Sequence, residues 1–525
     1  MLTLNENGLK NRAEWLEKGY TLPGFDRAAM IAATREAPAW IHFGAGNIFR
    51  AFQCNAVQRL LEAGVMSTGI VAVEGYDYEI VEKGYRPNDN YTLLVTLKAD
   101  GSVDKTVIGS IAESCILDSQ NAAEYGHLKA IFANPSLQMA SFTITEKGYA
   151  ITPAITADFV NGPQKPQSYI GKVASLLYAR YQAGGLPIAM VSMDNCSHNG
   201  DKLKAAITAF AEGWQDAGFI AYVKGGKVSF PWTMIDKITP RPDASVEEML
   251  RRDGLSGLDP IVTSKHTYIA PFVNAEESEY LVIEDDFPNG RPALEKAGLI
   301  FTDRDTVNKV ERMKVCTCLN PLHTALAVTG CLLGYTRISD EMKDADLVAL
   351  IHRIGYTEGL PVVTDPGVIK PREFIDTVVN VRLPNPFMPD TPQRIACDTS
   401  QKVPIRFGET VKCYLADPGR DAAGLTAIPL AIAAWLRYLL GVDDKGLPME
   451  VSPDPLLPEL QAALGGVTLG DPASLDGRLD ALLTRADLFA VSLKDAGLDG
   501  KVKAFFAEML AGPGAVRDTL HRHLR

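Results

Sequence analysis

Along the first 300 residues, short apolar runs alternate with amphipathic stretches of helix length. The runs Ile41–Phe43, Ile70–Val73, Ser141–Thr145 and Ile188–Met193 each end in glycine or a polar residue: Gly44, Glu74, Glu146 and Asp194. Runs of this kind, spaced by helix-length segments, predict βαβ units and a parallel sheet. In such sheets a ligand sits beyond the carboxyl ends of the strands. The residues just after each run are therefore where chemistry is expected.

The remaining chain reads differently. The stretches 307–336, 345–355, 374–381, 422–441, 456–464, 474–484 and 501–510 look helical, several with apolar residues at three-and-four spacing. The Pro/Gly-rich segment Pro288-Asn289-Gly290-Arg291-Pro292 and the change in pattern place a boundary near residue 300. The expectation is an α/β protein: a Rossmann-type dinucleotide-binding domain over 1–300 and a mainly α-helical domain over 301–525. No repeat or low-complexity segment interrupts this plan.

Composition narrows the class. The 525 residues are 46% hydrophobic and 22% charged, which describes a globular chain rather than a disordered, collagenous or coiled-coil one. A net charge of −12 disfavours nucleic acid or anionic membrane as a partner, though not a small anion in a locally basic pocket. The N-terminal sequence lacks the basic and apolar regions of a secretory signal. Two uncharged stretches raise the membrane question. Ala422–Leu436 is 15 residues long and contains Pro429, while the 22-residue Val315–Thr336 includes Asn320, Pro321 and His323. Both are expected to be buried helices. The eight cysteines form no CxxC pair, so neither a disulfide framework nor a structural metal site is expected, and the compartment expected is the cytoplasm.

Ile41-His42-Phe43-Gly44-Ala45-Gly46-Asn47-Ile48-Phe49-Arg50 reads as a strand, a Gly-x-Gly turn and a helix. The first glycine permits the tight turn, and the second lets a pyrophosphate approach the backbone at a helix N-terminus. The third glycine position holds Phe49, so the fingerprint is incomplete. Glu74, ending the next run, is placed to accept hydrogen bonds from an adenosine ribose and to repel a 2′-phosphate, which favours NAD over NADP.

Lys314, Asn320 and His323 stand at the front of an uncharged segment, where unpaired polar groups are expensive. On an unbroken helix, nine residues would set Lys314 and His323 about 180° apart. Pro321 biases Asn320 away from helical geometry, and a break there would allow the three side chains to share a cavity. A helix start with a satisfied core histidine is the structural alternative. Asp194-Asn195 follows the run 188–193; it is either a polar turn or a place where the Asn195 amide donates to a substrate oxygen. Arg394, Asp398, Lys402 and Arg406 form a basic-rich segment, either solvated surface or a site for an anionic or polyhydroxylated ligand.

Together these residues resemble the polyol-specific long-chain dehydrogenase (mannitol dehydrogenase) family, over nearly the whole chain. Lys314, Asn320 and His323 match its K-x5-N-x2-H pattern. Thr145-Glu146-Lys147-Gly148-Tyr149 is similar to its TE-x-GY strand end, and Asp194-Asn195 through Asn199-Gly200 to its DN-x3-NG loop. Phe230-Pro231 through Asp236-Lys237-Ile238-Thr239-Pro240 resembles FP…DRITP, with Lys237 in place of Arg. Arg382-Leu383-Pro384-Asn385-Pro386, Arg394 and Asp398-Thr399-Ser400-Gln401-Lys402 are similar to RF-x-NP…DGS-x-K, with Thr399 where glycine is common.

The resemblance implies a zinc-independent, NAD-linked oxidoreductase that interconverts a secondary alcohol and a ketone. It implies Lys314 as general acid/base, with Asn195 and Asn320 donating to the alkoxide. His323, Arg394 and Lys402 would hold substrate oxygens, and Asp236 would lie on the proton path. Cofactor contacts are expected from Gly44, Gly46, Asn47, Ile48, Phe49, Arg50, Glu74, Thr145 and Glu146. The family contains both polyol enzymes acting on mannitol and sugar-acid enzymes acting on mannonate and fructuronate. The departures in the glycine turn and at Thr399, with the chain's length, favour a sugar acid. A phosphate-ester or decarboxylating dehydrogenase, and a nucleotide sensor without catalysis, are the competing classes. A sensor would have no use for a general base beside Asn195 and Asn320. The sequence leaves the oligomeric state open.

Overall fold

Six strands form a single parallel sheet: β1 (Trp40–Phe43), β2 (Ile70–Glu74), β3 (Ile111–Ile116), β4 (Met139–Phe142), β5 (Ile188–Ser192) and β6 (Val228–Ser229). Their spatial order is β3-β2-β1-β4-β5-β6, that of a Rossmann sheet, with the switch point between β1 and β4. The computed structural model describes residues 1–153, 155–241 and 244–525.

Side chains alternate across the sheet with the period of two that a strand imposes. Trp40, Ile70, Ala72 and Met139 enter one core, with helix Cys54–Glu62. Ile41, Phe43, Val71, Val73 and Phe142 enter the other, under helices Ala122–Ala133, Tyr169–Gln182 and Asn199–Gly213. A sheet covered on both faces has no polar side, which is why its central strands read as mainly apolar runs. Arg180 is fully buried on the second face and donates to five backbone carbonyls, those of Phe132, Asn134, Leu137, Leu186 and Pro187.

The chain divides into two compact units, Met1–Lys98 with Ser102–Asn308, and Ala99–Gly101 with Lys309–Arg525. The first also holds a mixed sheet of Tyr20–Thr21, Val103–Ile108, Thr92–Leu97 and Phe272–Glu276, and a smaller one of Thr233–Asp236, Tyr280–Glu284 and Ile300–Thr302. Neither is announced by the spacing of apolar residues. The expected strand 141–145 is displaced to Met139–Phe142, because the chain leaves the sheet at Thr143 and turns through Thr145 at φ 66°.

In the second unit, helix Asn320–Leu333 packs against Ala427–Tyr438, Ala345–His352 and Pro392–Ile395. Helix Ala427–Tyr438 is buried on every side, as its uniformly apolar sequence requires. Its exposed amides are met by the Glu358 carboxylate, which accepts from the N–H groups of Thr426, Ala427 and Ile428. The helix expected over 474–484 is instead two single turns, Pro472–Leu475 and Leu482–Thr484, separated by Gly477 at φ 69°.

Candidate active site

The turn after β1 is built for close approach. Gly44 has φ 103°, and a Cβ there would lie 2.2 Å from the Thr143 carbonyl oxygen, so only glycine fits. At Gly46 a Cβ would meet nothing within 4 Å. The side chain that Gly46 lacks would project into open space. A cavity of about 530 Å³ is lined by Gly44, Gly46, Glu74, Tyr76, Thr143, Thr145, Lys147, Tyr169 and their neighbours, at the carboxyl ends of β1, β2 and β4. Its size and backbone lining suit a dinucleotide.

Glu74 is 5% exposed, and its carboxylate accepts from four backbone amides. Oε2 takes Ala45 N–H at 3.1 Å, and Oε1 takes Gly75, Tyr76 and Asp77. Burial pushes its carboxyl above the ordinary range, and the four amides partly offset that. Beside it, the buried hydroxyl of Tyr169 has no hydrogen-bond partner among the described residues. Tyr169 belongs to no motif, and nothing in its sequence neighbourhood singles it out.

Thr145 and Glu146 lie on the rim, both exposed. The Asp194 carboxylate holds this loop, accepting from Ile144 N–H at 3.0 Å and Thr145 N–H at 2.8 Å, with Tyr149 donating as well. The side chains of Phe49 and Arg50, both expected among the cofactor contacts, turn into the core. Phe49 is fully buried and stacks on His42 with ring centroids 4.2 Å apart. Arg50 is turned inward too, donating to Thr92, to the Ala270 carbonyl and to Asn47 Oδ1. The helix begins at Asn47, and residues Phe49–Gln53 form a π-turn that rotates both side chains into the core. Asn47 and Ile48 are half-buried.

Asn195 is exposed just beyond β5, whereas Asn199 is buried and bonded to both the backbone and side chain of Thr233. The second asparagine of the loop therefore fixes the turn rather than facing a ligand. Asp236 is buried at the end of strand Thr233–Asp236.

In the second unit the helix is broken where Pro321 predicts. Lys314–Cys318 is a π-turn, closed by Leu319 N–H donating to the Lys314 carbonyl at 3.1 Å. Leu319 (φ −129°, ψ −61°) then interrupts the path, and a new helix starts at Asn320. Lys314 is 4% exposed, while Asn320 and His323 are half-buried. Burial pulls His323 down to about 4, against the pull of Asp390, whose carboxylate lies 3.5 Å from Nε2. That nitrogen makes no hydrogen bond among the described residues.

Asp390 also pairs with Arg394, so the arginine is neither buried nor without a counter-charge. Only its spacing of four from Arg394 hints at Asp390 in the sequence. The Lys402 ammonium caps the carbonyls of Ile395 (3.0 Å) and Cys397. Among the described residues one group of possible metal ligands occurs, Glu113, Cys115 and His127 on and beside edge strand β3. Burial raises the Cys115 thiol, so it is held protonated.

Two family profiles match the chain: the mannitol dehydrogenase Rossmann domain over residues 38–296 and the mannitol dehydrogenase C-terminal domain over 306–509. The sequence is 51% identical, over 99% of this chain and 98% of the other, to D-mannonate oxidoreductase of Thermotoga maritima. It is 30% identical to polyol:NADP oxidoreductase of Gluconobacter oxydans, over 89% of this chain and 94% of that one. Pseudomonas fluorescens mannitol 2-dehydrogenase, solved in ternary complex with NAD and D-mannitol, is similar in fold with a TM-score of 0.69 and 27% identity, over 99% of each chain. The chain belongs to the mannitol dehydrogenase family and is an oxidoreductase acting on CH–OH groups, with a dinucleotide-binding Rossmann domain.

Proposed function

We propose that this protein interconverts D-mannonate and D-fructuronate with NAD as cofactor. The observation that carries the reading is the 51% identity, across nearly the full chain, with a protein named for D-mannonate, against 30% for the polyol-named relative. NAD is preferred to NADP in this reading because the Glu74 carboxylate lines the dinucleotide cavity, where a 2′-phosphate would meet negative charge.

The glycine turn and the amides at the start of the following helix would hold the pyrophosphate. When bound there, the cofactor would supply the acceptor for the hydride that leaves the carbinol carbon. The hydroxyl proton must leave to a base, and Lys314 takes it. The side-chain amides of Asn195 and Asn320 donate to the alkoxide oxygen as charge develops there. His323, with Arg394 and Lys402, orients the remaining substrate oxygens, and Asp236 passes the proton on. In the reducing direction Lys314 returns the proton to the same oxygen.

Steady-state NADH oxidation with fructuronate, tagaturonate and fructose tests the assignment. Fructuronate is expected to give the highest kcat/KM by at least roughly tenfold, the scale of one charged contact. A preference for fructose would reassign the protein to polyol oxidation.

A further inference from the structure

Most cations of the second unit are answered by nearby carboxylates or carbonyls. Arg394 has Asp390, Arg312 has Glu409, and Arg517 has Asp344 and Asp346. Arg406 differs. It sits in the π-turn Pro404–Gly408, and among the described residues its guanidinium donates only to the Thr324 hydroxyl, with no carboxylate within ion-pair distance. A guanidinium carries five N–H donors in a planar fork. Arg406 is half-buried, and the donors that Thr324 does not use reach the surface rather than a protein acceptor.

The surroundings share its sign. Thr324 follows His323, whose Nε2 is buried without a hydrogen-bond partner. His323 feels the positive charge of Arg406, Arg394 and Arg382 as well as the negative charge of Asp390, and Lys402 feels Arg406. Asp398 and Asp454 act on Lys402, whereas Arg406 has no carboxylate within ion-pair distance among the described residues, and burial pulls it down to about 10. Asp390 answers His323 and Arg394, which leaves the Arg406 fork to take a further carboxylate.

We propose that Arg406 recognises the carboxylate of a sugar-acid substrate and thereby separates sugar acids from uncharged polyols. The inference rests on the sugar-acid reading above. It assigns the charge discrimination to Arg406 rather than to Arg394, which is exposed and already paired, or Lys402, whose ammonium caps two carbonyls.

The test measures equilibrium binding of D-gluconate and of D-mannitol to the NADH complex of wild type, Arg406→Gln and Arg406→Lys. Arg406→Gln is expected to weaken gluconate roughly 10–100-fold, the effect of losing a charged hydrogen bond, and to leave mannitol within about twofold. Arg406→Lys keeps the charge without the fork and falls between. The melting temperature of Arg406→Gln should stay close to that of wild type, since the half-buried guanidinium has one protein partner, the Thr324 hydroxyl. Gluconate binding unchanged in Arg406→Gln, or equal losses for both ligands, overturns the proposal. If wild type reduces neither fructuronate nor fructose, the assigned reaction fails, and the binding comparison still decides the role of Arg406.

Discussion

The Glu74 carboxylate accepts a hydrogen bond from the backbone N–H of Ala45, between the two glycines of the turn after β1, at 3.1 Å. The acid that ends β2 therefore also fixes the turn after β1. The proposed role in cofactor choice and the observed role in shaping the turn thus fall on one side chain.

Glu74→Gln separates those roles. The new amide oxygen can keep the three amides of residues 75–77, but its NH2 then faces the Ala45 N–H, donor to donor. Losing that contact should raise KM for NAD by roughly tenfold. Removing the charge should also narrow the preference for NAD over NADP by a similar factor. Measuring kcat/KM for both cofactors checks this. A weakened enzyme with an unchanged ratio would reduce Glu74 to a support for the turn.

Lys314→Ala should lower kcat for mannonate oxidation by roughly 10²–10⁴, the usual range for a lost general base. NADH affinity should hardly change, because the residues expected to hold the dinucleotide lie in the other unit. Added primary amines should restore part of the rate. A kcat within a few fold of wild type would remove Lys314 from the mechanism.

Thr145 holds φ 66° and ψ 157°, a strained conformation for a β-branched residue, at the rim of the dinucleotide cavity. Such strain costs about 1–3 kcal/mol. Thr145→Gly should keep or raise the melting temperature, while the looser loop binds NADH less tightly. Calorimetry and a fluorescence titration read the two effects separately. A fall in both would mean that the threonine side chain stabilises the loop by contact.

Glu341 is fully buried, and neither of its carboxyl oxygens has a hydrogen-bond partner among the described residues. Burial pushes its carboxyl from 4.5 to about 9. The folded state thus holds a proton that the unfolded chain releases, so stability is full below pH 4.5 and falls as pH rises from there towards 9. Glu341→Gln mimics the protonated acid. Between pH 6 and pH 9, melting temperature should fall more in wild type than in the variant. Parallel curves would show that water reaches the carboxyl.

The sheet was legible because parallel strands covered on both faces must be uniformly apolar, and Ile70–Val73 and Ile188–Met193 are. Pro321 gave the helix break for an equally local reason. The mixed sheet escaped because Val103–Ile108 places Asp104 and Lys105 in a strand whose pairing lies elsewhere in the chain. Phe49 and Arg50 matched a motif, yet their side chains serve the core, since a motif records spacing and not direction. Asp390 and Tyr169 matter through neighbours that only the folded chain supplies.

The turn Lys314–Cys318 spans five residues where an α-turn would span four. It acts as a one-residue frameshift written into a helix. Everything from Asn320 onward keeps its apolar face in the core, while Lys314 is set out of phase with it. Deleting one residue here would turn the lysine by about 100° relative to Asn320 and His323. The buried face of Asn320–Leu333 would be undisturbed. Fold and site geometry are thus encoded in different registers of the same segment, so a change that the core tolerates fully can still move Lys314 out of its place.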